Sequence, residues 1–572
     1  MTRSRFWPGM AGLGVVALLA TSAPEPAGAQ SLQPAPSPQA FGDIEPTPLL
    51  EALSGRRAAG IEWLAEAPSL RPISMDDTPV RWPKAADSQA EPADRFPTRS
   101  ASPPPAPLPT AIALALERLI LDDDRVNPLG QGDWRAARAA IGAFYAGGGF
   151  APVWVEASGL TLAGRSALRR LGRAAEDGLD LSHLRLPRDQ ATFASPADLA
   201  AAEIAISAAV VAYAEQATGS RVAPARVSSL VTASPDLAEP GAALAETASA
   251  PDPGVRLANF NPPQKGYRDL RGELKRLTEA SSAGGAGRKI ELTVAGAHSL
   301  ADEAGEIVAG AVAETAAKPV RLTARSRTYV ASARSSMTRQ RAAILANMEM
   351  WRWEPRDMGE RRIEVNVPDF SVAVLDGDAV VHRARVVVGK PDTPTPIFSN
   401  VMRYVLINPS WQVPDSIIRK EMLPKLAADP DYFARHGYEA KTVGGRLTVK
   451  QPPGERNALG RLAFMFPNEH SVYLHDTPSQ GLFEAEKRAF SHGCIRVEDP
   501  VRLAELVLGW PESRVAAAIG GAERTVFLSR PLPIHIEYFT EFVDEYGELQ
   551  ERADVYGLAQ RVADTLSATR QD

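Results

Sequence analysis

The chain holds one cysteine, Cys494, in the run Ser491-His492-Gly493-Cys494-Ile495-Arg496-Val497. A lone thiol cannot close a disulfide within its own chain, so it is either a small buried hydrophobe or a reactive group. The nucleophile is the thiolate, and a neighbouring imidazole is the usual means of generating it. Two histidines lie within twenty residues: His492, and His475 in Tyr473-Leu474-His475-Asp476-Thr477-Pro478. Gly493 lets a backbone approach a reacting carbonyl closely, and the N–H groups of Gly493 and Cys494 are candidate oxyanion donors. His475 ends a short strand pattern, and Cys494 follows a loop from Asp476 to Phe490, so two adjacent strand ends would bring the pair within reach. His492 stands two residues from the thiol, an offset that returns to the same face of a strand, and is the rival base.

Those side chains need a sheet to hold them, and one is legible after Met337. A helix from Arg341 to Trp353 is followed by strand patterns at 362–367, 370–375, 379–388 and 402–408, with a hairpin turn at Gly377-Asp378. From Ser416 to His436 the pattern turns helical, then strands return at 446–450, 462–466 and 472–474. A helical excursion just before the reactive segment has the placement of a lid, or of a plain packing insertion. Upstream, 110–277 reads as helices at 111–121, 134–145, 162–175 and 197–215, with Phe144, Tyr145, Phe150 and Trp154 as core aromatics. The interval 280–330 is Ala- and Gly-rich and weakly patterned. Residues 30–109 are rich in Pro, Ala and Ser and read as a disordered linker.

At the amino terminus Arg3 and Arg5 precede an apolar stretch from Met10 to Ala20 and a small-x-small site at Ala27-Gly28-Ala29. That is the layout of an export signal, too short for a span of roughly 20 residues. An uncleaved anchor is the alternative, and no other segment reads as a membrane span. Export makes an unpaired cysteine a liability unless it does chemistry. Lys and Arg total 63 against 69 Asp and Glu, a net charge of -6, which gives no case for nucleic-acid binding. No zinc-ligand spacing, phosphate-binding loop or G-x-S-x-G elbow is present, so no metal and no cofactor is expected. Paired carboxylates for glycoside cleavage are available but nothing requires them.

The segment His475…Ser491-His492-Gly493-Cys494 resembles the signature of the L,D-transpeptidases, enzymes with a YkuD-type catalytic domain. The surroundings, Val388-Gly389-Lys390-Pro391, Thr393-Pro394-Thr395-Pro396, Asn408-Pro409-Ser410-Trp411, Arg419-Lys420-Glu421, Gln451-Pro452-Pro453-Gly454 and Phe464-Met465-Phe466-Pro467, resemble the large periplasmic type. Phe144-Tyr145-Ala146-Gly147 and Asp177-Gly178-Leu179-Asp180 resemble that type's helical scaffold domain. The resemblance implies that Cys494 attacks the third-residue carbonyl of a peptidoglycan tetrapeptide stem. D-alanine leaves, a thioester forms, and the amine of another stem resolves it to a 3→3 cross-link. It assigns the base to His475, the orienting carbonyl to Asp476, and the substrate site to Tyr473, Ser491, His492, Arg496 and Trp411. Such enzymes usually carry a small peptidoglycan-binding module, whose pattern is not found in 280–330.

The expected fold class is α+β. A signal peptide (1–29) and linker (30–109) precede a helical scaffold domain (110–336) and a mostly-β catalytic domain (337–546), a mixed sheet sandwich with a helical capping insertion at about 409–454. A C-terminal tail (547–572) follows. The expected location is the periplasm. Hydrolysis of the acyl-enzyme, as a carboxypeptidase or amidase, and a non-catalytic envelope scaffold are the competing readings. The acceptor stays open between another stem, a free D-amino acid and the amine of an envelope protein.

Overall fold

The computed structural model describes residues 111–122, 134–284 and 324–568. The expected signal peptide and linker, and most of 280–330, lie outside the described residues.

The helical part begins with α1 (Ala111–Asp122) and α2 (Trp134–Gly147), then a small hairpin of β1 (Val155–Glu156) and β2 (Gly159–Leu160). Next come α3 (Leu162–Leu171), α4 (Pro196–Ala217), α5 (Pro240–Ser249) and α6 (Lys265–Gly284). Ser195 caps α4 by accepting from the Asp198 N–H, and Pro196 supplies a first-turn residue that needs no donor. At 22 residues α4 is long and apolar enough to cross a membrane, contrary to the sequence expectation. It lies instead as the core helix of this part, packed by α1, α2, α3 and α5. Glu203 on α4 is buried, and its two carboxylate oxygens accept from the Tyr145 hydroxyl and from the N–H groups of Val153, Trp154 and Val155. Ser207, one turn on, accepts from the Trp154 indole N–H. Tyr145 and Trp154 are thus core residues, as their pattern suggested, with polar atoms that need these partners.

The helix read as Arg341–Trp353 is the apolar end of a longer one, α7 (Ala324–Trp351). Its first half is Arg-, Ser- and Ala-rich, adequate in helix propensity but without an apolar stripe to betray it. Arg352, just past its end, donates to the Asp177 backbone carbonyl at 2.6 Å and pairs with Glu349, joining the helical part to the end of α7. Asp177 is itself buried against Arg170, Arg271 and the Tyr213 hydroxyl.

The sheet is built from β3 (Arg361–Asn366), β4 (Ser371–Asp376), β5 (Ala379–Gly389) and β6 (Phe398–Ile407). After the insertion come β10 (Leu462–Met465), β11 (Leu474–His475), β12 (Ala489–Ser491) and β13 (Ile495–Val497), then α8 (Pro500–Leu508) and β14 (Arg524–Glu537). The hydrogen-bonded order is β12-β5-β13-β11-β10-β6-β14-β3-β4, and β4 also pairs with β5. The long β5 makes this closure possible: its first half lies against β4 and its last residues against β13 and β12. Val386 and Val388 of β5, Leu474 of β11 and Ile495 and Val497 of β13 point into one core. Each such side chain contributes roughly 1.5–3 kcal/mol by burial.

The insertion is not purely helical. It holds a three-stranded sheet of β7 (Trp411–Gln412), β8 (Glu439–Val443) and β9 (Arg446–Gln451), in the order β7-β9-β8, with short helical turns at 415–417, 423–428 and 432–435 and a π-helical turn at Ile418–Met422. Val413, Ile418, Met422 and Val449 give it a small core of its own. The buried Asn457 amide donates to the carbonyls of Pro409, Gln451 and Pro452, stapling its two ends together.

The stretch read as a C-terminal tail is folded as far as Ala568. After β15 (Glu541–Val543) it forms β16 (Leu549–Glu551) and α9 (Leu558–Ala568), whose Leu558, Val562 and Leu566 are buried against α7. An eleven-residue amphipathic helix at a chain end hides easily in a sequence because no strand pattern brackets it.

Candidate active site

Strands β11 and β13 run parallel, with Leu474 opposite Ile495 and His475 opposite Arg496. Continuing the register sets Tyr473 opposite Cys494, and the Ile495 N–H donates to the Tyr473 carbonyl at 3.1 Å. Since Leu474, Ile495 and Val497 face the core, alternation turns Tyr473, His475, Cys494 and Arg496 to the other face together. His475 and Cys494 are therefore diagonal neighbours, a spacing that longer side chains bridge.

His475 is buried, and its Nδ1 donates to the Asp476 backbone carbonyl at 2.5 Å. That bond leaves Nε2 as the proton acceptor. Burial first, then the positive charge of Arg496, drives the imidazole pKa down to about 3, with the Asp476 carbonyl opposing. The ring is neutral across the physiological range. The Cys494 thiol is half-buried, and burial pushes its pKa above the ordinary value against the Tyr473 N–H and hydroxyl and the Arg496 charge. The resting pair is thus neutral thiol and neutral imidazole, not a preformed ion pair. Sγ lies 3.9 Å from the Ser471 carbonyl oxygen.

The other expected site residues sort differently. The Asp476 carboxylate is buried and accepts from the N–H groups of Arg461 and Thr477, so only its carbonyl serves the imidazole. Arg496 lies beside the thiol, with a buried Nε that has no hydrogen-bond partner. Tyr473 packs its ring 5.7 Å from that of His475, and its hydroxyl faces both Cys494 and the Trp411 indole of the insertion.

Ser491 is buried, and its hydroxyl is engaged, donating to the Cys494 carbonyl at 2.5 Å and accepting from the Gly493 N–H at 3.1 Å. The Gly493 N–H is therefore engaged, which removes it from the expected oxyanion pair and leaves the Cys494 N–H. Gly493 serves through its backbone: its φ of +116° is open to glycine and strained for other residues. That break in the strand also removes the two-residue rule that made His492 a rival base. His492 turns outward, and its Nε2 meets the Glu421 carboxylate on the π-helical turn of the insertion.

Several supporting residues had no sequence signal as site groups. Thr395 is fully buried, accepts from the Gly389 N–H at 2.9 Å and donates to the Gly493 carbonyl at 2.8 Å. A Cβ at Gly389 would meet the Thr393 carbonyl oxygen at 2.3 Å, so the close approach requires glycine there. The Tyr556 hydroxyl, from the supposed tail, accepts from the Thr395 N–H and donates to the Gly389 carbonyl. Asn468 shapes the loop before β11: its amide donates to the carbonyls of Phe466 and Val472, and its oxygen accepts from the N–H groups of His470 and Val472. Within that loop Ser471 takes φ +54°, an uncommon conformation for a non-glycine residue, and so presents its carbonyl to the thiol.

A nucleophile, a neutral base of fixed tautomer and an adjacent cation constitute acyl-transfer machinery. The family model of the L,D-transpeptidase catalytic domain, YkuD, matches residues 360–526, which contain all of these groups. The chain carries an L,D-transpeptidase catalytic domain. A second model, the scaffold domain, matches residues 139–274 of the helical part. Among curated proteins, one from Haemophilus influenzae whose name assigns it provisionally to the L,D-transpeptidases is 32% identical over 225 residues. The match takes in 35% of this chain and 45% of that relative, so less than half of the relative's length is spanned. Among solved structures, an L,D-transpeptidase from Mycobacterium smegmatis is 16% identical, over 31% of this chain and 58% of the other, with a TM-score of 0.18. L,D-transpeptidase 3 from Mycobacterium tuberculosis is 14% identical, over 31% and 61%, also with a TM-score of 0.18. Superpositions that poor add nothing to the family assignment. The segment matched by the L,D-transpeptidase domain is mostly β and the segment matched by the scaffold domain is helical, as expected from the sequence.

Proposed function

We propose that the protein is a peptidoglycan L,D-transpeptidase that forms 3→3 cross-links and works in the periplasm. His475 Nε2 takes the proton as Cys494 Sγ attacks the third-residue carbonyl of a donor tetrapeptide stem. The Cys494 N–H faces the developing oxyanion. Collapse breaks the bond to the terminal D-alanine, which leaves with the proton from His475, and a thioester remains on Cys494. The amine of an acceptor stem then attacks, again losing its proton to His475, and the thiol is restored. The observation that carries this reading is the tautomer held by the Asp476 carbonyl on a ring too buried to be protonated at rest: a base poised to take a proton only during attack.

Arg496, with its unpartnered Nε beside the thiol, suits a carboxylate of the stem. Aminolysis over hydrolysis requires a shielded thioester, and the insertion supplies the shield through Trp411 near Tyr473 and Glu421 on His492. The export-type amino terminus supports the location.

Mass spectrometry of products tests the reading. Purified protein and its Cys494→Ala variant are incubated with disaccharide-tetrapeptide. A dimer short of one D-alanine, made by the unmutated protein alone, is the expected result. Tripeptide monomer without dimer would replace the transpeptidase reading by a hydrolase, and no product from either protein would favour a binding scaffold.

A further inference from the structure

A cavity of about 440 Å³ opens away from the thiol. That volume falls within the roughly 300–1,000 Å³ of small-molecule sites. It forms where β5 passes from its pairing with β13 to its pairing with β4. Its floor is the ion pair of Arg385 with Glu498. Around it Arg552 pairs with Asp369 at 2.7 Å, and Arg383 lies between Asp369 and Glu545. The cations are thus matched by carboxylates already present, so the cavity offers many directed donors and acceptors with little net charge. That suits a neutral polyhydroxylated ligand and disfavours a phosphate or a nucleic acid. Aromatic faces complete it. Phe542 lines one wall beneath Arg552, and Tyr546, at the tip of the β15–β16 hairpin, is 84% exposed beside it. An exposed aromatic ring flanking a polar, charge-balanced cleft is the arrangement that stacks on the C–H face of a sugar ring while hydroxyls bond to the charged groups.

Position gives the cavity its meaning. Cys494, Arg496 and Glu498 alternate onto one face of the sheet, so the floor lies four residues from the thiol, about 13 Å along the strand. Three extended stem residues span at most roughly 10–11 Å, and the ether arm that joins a stem to its sugar makes up the remainder. We propose that this cavity binds the glycan from which the donor stem hangs, so that the stem runs past Arg496 to place its third carbonyl at Cys494. The proposal rests on the peptidoglycan reading above and deepens it: recognition of the sugar is built into the catalytic domain itself.

Two measurements separate the proposal from that reading. In the first, full-length Cys494→Ala protein is titrated by calorimetry and ligand-observed NMR with the peptide-free disaccharide N-acetylglucosaminyl-N-acetylmuramoyl amide, whose lactyl carboxyl is capped so that the probe is neutral like the stem-bearing glycan. Binding is expected, weakened about five- to tenfold by Tyr546→Ala, as loss of one aromatic contact would give, and retained by Tyr546→Phe. In the second, kcat/KM is compared for disaccharide-tetrapeptide and free tetrapeptide. The preference for the glycan-bearing donor should fall five- to tenfold in Tyr546→Ala, through KM. Disaccharide binding that Tyr546→Ala reduces, in a protein without turnover, would keep the site and overturn the transpeptidase reading. Turnover without disaccharide binding, or a donor preference indifferent to Tyr546, overturns the site.

Discussion

Cys494 stands directly opposite Tyr473 across the parallel pair of β11 and β13, and only diagonally opposite His475. The tyrosine hydroxyl, which faces both the sulfur and the Trp411 indole, is thus the nearer polar influence on the thiol. Tyr473→Phe removes one of the groups that hold the thiol pKa down and should shift it further up. Alkylation of Cys494 by iodoacetamide at pH 7.5, followed by intact mass, should slow by about three- to tenfold, a shift of roughly half to one pKa unit. An unchanged rate would mean that burial, the Tyr473 N–H and Arg496 set the thiol without the hydroxyl.

Glu421 on His492 ties the insertion to the residue two before the nucleophile. Both side chains are partly exposed, so the pair contributes about 0–1 kcal/mol to stability, and its effect is on the position of the insertion. Glu421→Ala should leave the melting temperature within about a degree or two while speeding amide hydrogen exchange in 411–451. It should also raise the tripeptide-to-dimer product ratio, because water gains access to the thioester. Exchange rates identical to those of the unmutated protein would remove the latch.

Asn468 acts through the backbone it organises and touches neither reacting group. Asn468→Ala strips four hydrogen bonds from the loop that sets Ser471 and leads into β11. A displacement of about an ångström at a reacting pair can cost around a hundredfold in rate. The expected signature is kcat reduced by ten- to a hundredfold with KM little changed, in a protein whose far-ultraviolet circular dichroism is retained.

Stability should decline as pH rises through neutrality. Glu541 is buried and its carboxyl is pushed up to about 8 by burial and by the Glu551 charge. Glu537, buried with an unpartnered Oε1, is raised by burial and by Glu364 and Glu354. A carboxyl with a raised folded pKa keeps its proton in the native chain and loses it in the unfolded one. Its stabilisation is therefore complete below about pH 4.5 and is lost as pH climbs to about 8. Melting temperature measured from pH 5 to 8.5 should fall, and Glu537→Gln should flatten the fall, raising the value at pH 8 by about 2–4 °C for each kcal/mol recovered. A flat profile for the unmutated protein would sink this account.

How much of this was readable in advance depends on the range of the interaction. The strands around the site announced themselves by alternation, and the hairpin at Gly377-Asp378 by its turn residues, because those signals are local. The choice between His475 and His492 was not local. It turns on the φ of Gly493 and on Glu421, 71 residues before His492, neither of which a spacing rule contains. Ser491 looked like a substrate contact because it neighbours the thiol, yet its hydroxyl is consumed in forming the turn. Tyr556 was invisible for the same reason: its contact with Gly389 spans 167 residues. The charge-balanced cavity draws on β4, β5, the segment after β13 and the β15–β16 hairpin, which no sequence window brings together.

The parallel pairing of β11 with β13 has a consequence for how such a domain can diversify. Parallel strands cannot be joined by a tight turn, so a long crossover must separate His475 from Cys494. Here its ends are buried at Asp476, Thr477, Ala489 and Ser491, while its middle, 478–487, is exposed or half-buried apart from the buried Phe483. The reacting pair is dimensioned by the sheet and the crossover is not. Residues along that middle stretch can be exchanged, lengthened or grafted while nucleophile and base keep their spacing, so a change of client would need no change of chemistry.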